Sequence, residues 1–191
     1  MTSYQLLRTQ PCLSYSTLLR NPNLPPPLVA GPANVRIVPI LPYRHSSKWN
    51  STGGRRRDQF VVTFDKRGMP EGYGVKYVDL ASYSPMVMKT AIVRGCDIVR
   101  FPTPGKKIQL RIVWPGYHTV DFSSMIDVQE ITVGELAVRV AFLYRDYFQA
   151  VCQRLSTEDG WSCTGEMLDT LHFVCIRNFY DNVYQAGVVL G

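Results

Sequence analysis

Long apolar runs are missing from these 191 residues. No segment reaches the roughly eighteen uninterrupted apolar side chains that a membrane-spanning helix needs, and the stretch from Met1 to Pro22 lacks the apolar core of a secretory signal. The expectation is a soluble, intracellular chain, cytoplasmic or nuclear, with no membrane partner. Paired cysteine spacing is missing as well. Cys12, Cys96, Cys152, Cys163 and Cys175 are odd in number and scattered, with no C-x-x-C, which argues against a disulfide framework or a zinc ribbon and predicts free thiols packed in the core. Asn50-Ser51-Thr52 fits a glycosylation sequon, but without export it is a polar loop.

Catalytic signatures are absent too. There is no G-x-S-x-G elbow, H-E-x-x-H helix, Walker A loop or G-x-G-x-x-G turn, and none of the three histidines, His45, His118 and His172, sits in a known pattern. The glycine-rich run from Gly68 to Gly74 carries Pro70 and Glu71 where a phosphate needs free amides, so it reads as a hairpin turn. Cys163 and Glu166 are three apart but lack a second ligand pair, and Glu158-Asp159 are adjacent loop acids rather than carboxylates set across a bond. No catalytic residue, metal or cofactor is predicted. One aromatic cluster, Trp114, Tyr117 and His118, is the candidate lining of a pocket, against the simpler reading that it packs a hairpin tip.

Acidic residues are scarce in the first part of the chain. Residues 1–111 hold 17 Lys and Arg against 5 Asp and Glu, a balance of +12, whereas residues 112–191 hold 4 against 10, a balance of −6. Two halves of opposite sign neutralise each other within one fold or across a homo-oligomer, or else leave a basic surface for an acidic partner. The basic segment 43–67 is the nucleic-acid candidate, because Lys48, Arg55, Arg56 and Arg57 can neutralise phosphates while Trp49 stacks on a base. A solvated loop accounts for the same residues.

The chain is 46% hydrophobic and 12% aromatic, enough apolar material for one core. Prolines 22, 25, 26, 27 and 32 make residues 1–34 an extended, proline-rich arm or strap. Residues 35–191 form a single α+β domain. Val35–Ile40, Gln59–Phe64, Tyr73–Leu80 and Lys107–Trp114 read as strands, with Tyr117–Phe122 returning along the last of these. Met86–Arg100 is divided between a strand and a short helix that starts after Ser84-Pro85. Thr132 and Glu135 form a capping box that opens a helix from Val133 to about Leu155. Its apolar stripe is Leu136, Val140, Leu143, Tyr147, Val151 and Leu155, with Arg145, Asp146, Gln149 and Gln153 opposite. Leu168–Phe179 is a last strand or a short helix, and Ala186–Leu190 is an apolar tail that docks. The predicted architecture is a mainly antiparallel sheet covered on one face by the long helix.

In their order, Leu13-Ser14-Tyr15, Asn21-Pro22, Pro25-Pro26-Pro27-Leu28-Val29, Phe101-Pro102-Thr103-Pro104, the strand Ile108–Trp114 and Ile131-Thr132-Val133-Gly134-Glu135-Leu136 form a pattern. It resembles an uncharacterised intracellular domain expanded in basidiomycete fungi, where an N-P-L-L and P-P-L-V entry leads through a β-rich body to an I-T-V-x-D-V-L helix start. Glu135 stands at that family's Asp, and the basic loop around Arg55 reads as an insertion. The resemblance implies a compact α+β domain and supplies no catalytic residues.

The function expected from the sequence is a non-enzymatic intracellular protein-interaction module, acting on a protein partner or by self-association through the strap, the basic loop or an exposed sheet edge. Nucleic-acid binding through residues 43–67 is the alternative. A small enzyme or ligand binder with a pocket near Trp114, Tyr117 and His118 comes third.

Overall fold

The computed structural model describes residues 36–39, 60–102, 105–180 and 182–191. The proline-rich arm 1–34, Cys12, His45, the sequon and the basic residues Lys48, Trp49, Arg55, Arg56 and Arg57 lie outside the described residues.

Among the described residues seven strands form one mixed sheet, with β1 (Arg36–Ile37), β2 (Val61–Thr63), β3 (Val75–Lys76), β4 (Lys107–Ile112), β5 (Phe122–Asp127), β6 (Leu171–Tyr180) and β7 (Val183–Leu190). The main path runs β2-β6-β7-β4-β5, with β1 pairing β7 and β3 pairing β6. All pairings are antiparallel except that of β4 with β7. Among the described residues four helices accompany it, α1 (Tyr77–Ser82), α2 (Pro85–Ala91), α3 (Val133–Val151) and α4 (Gly165–Asp169). The α+β fold and the long helix on the sheet match the reading of the sequence.

The core lies between α3 and the sheet face bearing Ile108, Leu110 and Ile112, each at most 1% exposed. The Tyr147 ring of α3 meets Phe122 of β5 edge-on at 5.4 Å, and Tyr144 meets Phe173 of β6 at 5.0 Å. Helix α3 starts where its capping box requires. Thr132 Oγ1 accepts from the Glu135 amide at 3.3 Å, and Glu135 Oε2 accepts from the Thr132 amide at 3.0 Å. Gly134, next inside, lets α2 come close, since a Cβ there would lie 2.9 Å from the Lys89 amide nitrogen.

Several local expectations need correction. Tyr73–Leu80 is not one strand: only Val75–Lys76 pairs with β6, and α1 begins at Tyr77. The alternation of Tyr73, Val75 and Tyr77 was a real signal that gives way to helical spacing, with Tyr77 and Leu80 buried on one side. Tyr117–Phe122 does not return along β4. Two turns, Tyr117 N to Trp114 O and Val120 N to Tyr117 O, delay the return until Phe122, which pairs with Ile112. The long helix ends at Val151, so Leu155 is 94% exposed beyond it, and Leu143 is only half-buried while Tyr144 and Phe148 are inside.

The largest correction concerns the C-terminal residues. Leu168–Phe179 resolves as strand β6 from Leu171, and the apolar tail is no tail but strand β7: the β6–β7 hairpin, paired from Leu171–Leu190 to Tyr180–Val183, is the centre of the sheet. Val183 to Val189 are buried at every position, so the strand shows no apolar–polar alternation and resembles a docking tail in sequence. Met86–Arg100 resolves into α2, capped by Ser84 with Pro85 in its first turn, followed by turns.

The capping box carries a pH prediction. Hydrogen bonding from the Thr132 backbone and from Lys89, whose Nζ lies 3.0 Å away, holds the Glu135 carboxyl below its ordinary value near 4.5. A carboxyl depressed in the folded state stabilises above its unfolded pKa, and that stability is lost as pH falls through the folded value. Glu135→Ala is therefore expected to destabilise by about 1 kcal/mol near neutrality. The difference should vanish in acid, as checked by urea denaturation across pH 7 to 3.

Candidate functional site

At one edge of the sheet, strand β2 has a partner on one side only among the described residues. The amide of Phe64 donates to Val174 O at 2.7 Å, and Phe60 O accepts from the Asn178 amide at 2.9 Å. With Val62 opposite Ile176, hydrogen bonding toward β6 falls on residues 60, 62 and 64. The backbone N–H and C=O groups of Val61 and Thr63 therefore face away from the sheet, and among the described residues they have no partner. The next outward carbonyl, Asp65 O, accepts from the Val93 amide at 2.8 Å.

Residues 92–101 run antiparallel to this edge but bow away from it. They touch at one end through Val93 and the Lys66–Ile92 bridge, and at the other through the Phe60 and Phe101 rings, 5.3 Å apart. Arg94 turns the chain off the edge with a left-handed φ of 57°, which is uncommon outside glycine. Gly95 follows, where a Cβ would run into the Lys89 carbonyl oxygen.

The bow has a physical cause at the start of α3. The first amides of a helix have no partner within it, and here the bowed segment supplies acceptors: Val133 N donates to Asp97 O at 3.0 Å and Gly134 N to Gly95 O at 2.9 Å. Val99 N donates to Ile131 O at 2.9 Å and holds the far side. A groove of about 1050 Å³ is left between the edge and the bow.

Its lining is mixed, with apolar Val61, Met69, Val93 and Ile98 beside the edge groups and Asp65, Glu71, Arg94, Asp97 and Arg100 among them. Ile98 is 56% exposed and Val93 43%, high for apolar side chains of a packed fold. Charges sit at the ends. Glu71 lies in the turn before β3, and Arg100 lies next to Phe101; both are exposed, and among the described residues neither has an ion-pair partner. Arg94 is engaged with Asp97 at 2.7 Å, and Asp65 Oδ1 accepts from the Gly72 amide at 2.7 Å. The latter bond closes the turn that the glycine run predicted.

Trp114, Tyr117 and His118 do not converge on one another's chemistry. Trp114 is fully buried, its Nε1 donating to Trp161 O at 2.9 Å, with the Phe148 ring 5.0 Å away. Tyr117 Oη donates to Arg154 O at 3.1 Å and accepts from the Cys163 amide at 3.2 Å, so this side chain fastens three segments. His118 is exposed and lies 2.6 Å from Glu158 on the surface.

Among the described residues no three His, Cys, Asp or Glu side chains gather as metal ligands, and no helix is long and apolar enough to cross a membrane. Of the described cysteines, Cys163 and Cys175 are buried as expected, whereas Cys96 and Cys152 are exposed. Burial pushes the Cys163 thiol up to about 12, which keeps it protonated and a poor nucleophile. Compared with known protein families, curated proteins and solved structures, the chain matches none of them.

The edge groups of Val61 and Thr63 escaped sequence reasoning for a definite reason. β2 is legible from its β-branched and aromatic residues, but whether a strand is central or at an edge depends on which strands it pairs with.

Proposed function

We propose that this chain is a non-enzymatic interaction module that binds an extended segment of another protein along the β2 edge. The observation that carries the reading is the pair of outward-facing backbone positions, Val61 and Thr63, unpartnered among the described residues and opening onto a groove with exposed Val93 and Ile98. An added strand gains main-chain hydrogen bonds at such an edge, and its alternate side chains supply the specificity. The partner's chemistry follows from the lining. Apolar side chains at alternate positions meet Val93 and Ile98, an acidic side chain suits Arg100, and a basic one suits Glu71.

The opposite edge of the sheet is a poorer template. β5 carries Ser123, Ser124 and Asp127, and its terminal carbonyl, Asp127 O, already accepts from Arg139 at 2.9 Å.

The test is selection from a displayed random-peptide library, followed by affinity measurements with wild type and Val61→Pro. Proline removes the Val61 N–H, which faces the groove and not β6, so the ladder to β6 and the melting temperature should be kept. Selected peptides are expected to show apolar residues at alternate positions and to bind the variant about tenfold more weakly, the order of one lost hydrogen bond. Failure to select any peptide, or equal affinity for both proteins, would overturn the reading.

A further inference from the structure

The groove beside β2 has a second wall whose backbone is also open. Ile98 is bridged antiparallel to Thr132, and the two bonds of that bridge come from its neighbours: Asp97 O accepts from the Val133 amide at 3.0 Å, and Val99 N donates to Ile131 O at 2.9 Å. When the residues on either side of a bridged position bond toward the partner strand, the N–H and C=O of the bridged residue itself point the opposite way. The Ile98 amide and carbonyl are therefore directed away from the lead into α3, toward the groove that Ile98 lines together with Val61. Among the described residues neither group has a hydrogen-bond partner, as is also true of the outward groups of Val61 and Thr63.

The two walls are held apart. The bow from Ile92 to Phe101 is longer than the edge it faces, Phe60 to Lys66, and its surplus is pinned outward by the bonds of Asp97 and Val99 to the residues that open α3. The space between has a volume of about 1050 Å³ and carries unpaired main chain on both sides, which is the setting of a central strand and not of an edge strand. Its two ends differ in charge. Arg100 lies at the Phe60 end, next to Phe101, and Glu71 lies at the Asp65 end, next to the Gly72 amide that Asp65 accepts from. Both are exposed, and among the described residues neither is ion-paired.

We infer that the partner segment is inserted as a strand between β2 and residues 97–99 and is hydrogen-bonded on both sides. The inference rests on the reading of the β2 edge as a binding site and adds the second wall, with Ile98 as its main-chain contact. A strand added at an open edge uses the N–H and C=O groups of every other residue and leaves the rest to water, whereas an inserted strand uses both sets. The partner is therefore an extended protein segment with free amides at adjacent positions, which excludes proline from its centre. Charge complementarity places an acidic side chain toward Arg100 and a basic one toward Glu71, with apolar side chains between them for Val93 and Ile98.

The experiment takes a library-selected peptide and the full chain, and measures affinity for a series in which each peptide amide in turn is replaced by an ester, which removes one N–H and leaves the side chains in place. Successive N–H groups of a strand point to opposite sides, so losses of about tenfold are expected at adjacent central positions. Ile98→Pro removes the N–H of the second wall and should weaken the unmodified peptide about tenfold at an unchanged melting temperature. Should that variant fold poorly, the ester series decides alone, since it leaves the protein unaltered. Losses confined to every other position, with Ile98→Pro binding as wild type does, would overturn the inference, and weaker binding to Val61→Pro would then leave the β2 reading standing. Equal affinity for wild type and both proline variants would overturn the two together. An Ile98 amide already protected from hydrogen exchange in the free chain would also overturn it, assigning the slot to a second copy if protection rises with concentration and to a segment of the same chain if it does not.

Discussion

Trp114→Ala is expected to lower the unfolding free energy by about 3–5 kcal/mol, the range for deleting a fully buried large aromatic side chain. Trp114 has no exposed surface and is surrounded edge-on by Tyr144 at 6.4 Å, Phe148 at 5.0 Å and Trp161 at 5.7 Å. Its N–H also holds the Trp161 carbonyl, which ties the loop after α3 to the end of β4. Two losses therefore combine, a cavity between helix and sheet and an unpaired buried carbonyl. Trp114→Phe separates them: it keeps most of the ring volume and should be destabilised by about 1–3 kcal/mol. Guanidinium denaturation of the two variants reads both numbers, and a ligand-pocket role for Trp114 would instead leave stability nearly unchanged.

Val140→Asp should abolish cooperative folding. Val140 is fully buried in the middle of α3, and an unpaired carboxylate there either stays charged in an apolar core or folds only when protonated. Leu143→Asp is expected to be milder, because the half-buried side chain can turn its carboxylate toward water, and Leu155→Asp should be silent. The apolar stripe read from the sequence made these three positions equivalent. Circular dichroism melts rank them, and equal loss at Leu143 and Val140 would mean that the helix is rotated relative to the sheet.

The reasons for success and failure in reading the sequence are physical. Helix α3 was legible because its start is encoded locally by Thr132 and Glu135, and β4 because Ile108, Leu110 and Ile112 alternate with polar residues over one buried face. Strand β7 was hidden because a central strand buried at every position has no period to read. Tyr144 and Phe148 were missed because the sheet side reaches past the narrow stripe: Tyr144 packs on Phe173 of β6 and Phe148 on Trp114 at the end of β4, which widens the buried face of α3. The candidate site was the least legible of all. It consists of backbone groups left over after pairing, together with a segment pulled aside to satisfy the first amides of α3, and neither follows from side-chain identity.

Amide hydrogen exchange at Val61 and Thr63 tests the open edge most directly, in the free protein and with a library-selected peptide bound. In the free protein both amides should exchange far faster than that of Val62, which is bonded within the sheet, and both should become protected when the peptide binds. Val61 and Thr63 protected to the level of Val62 without any ligand, or unchanged exchange in the complex, would contradict strand addition at β2.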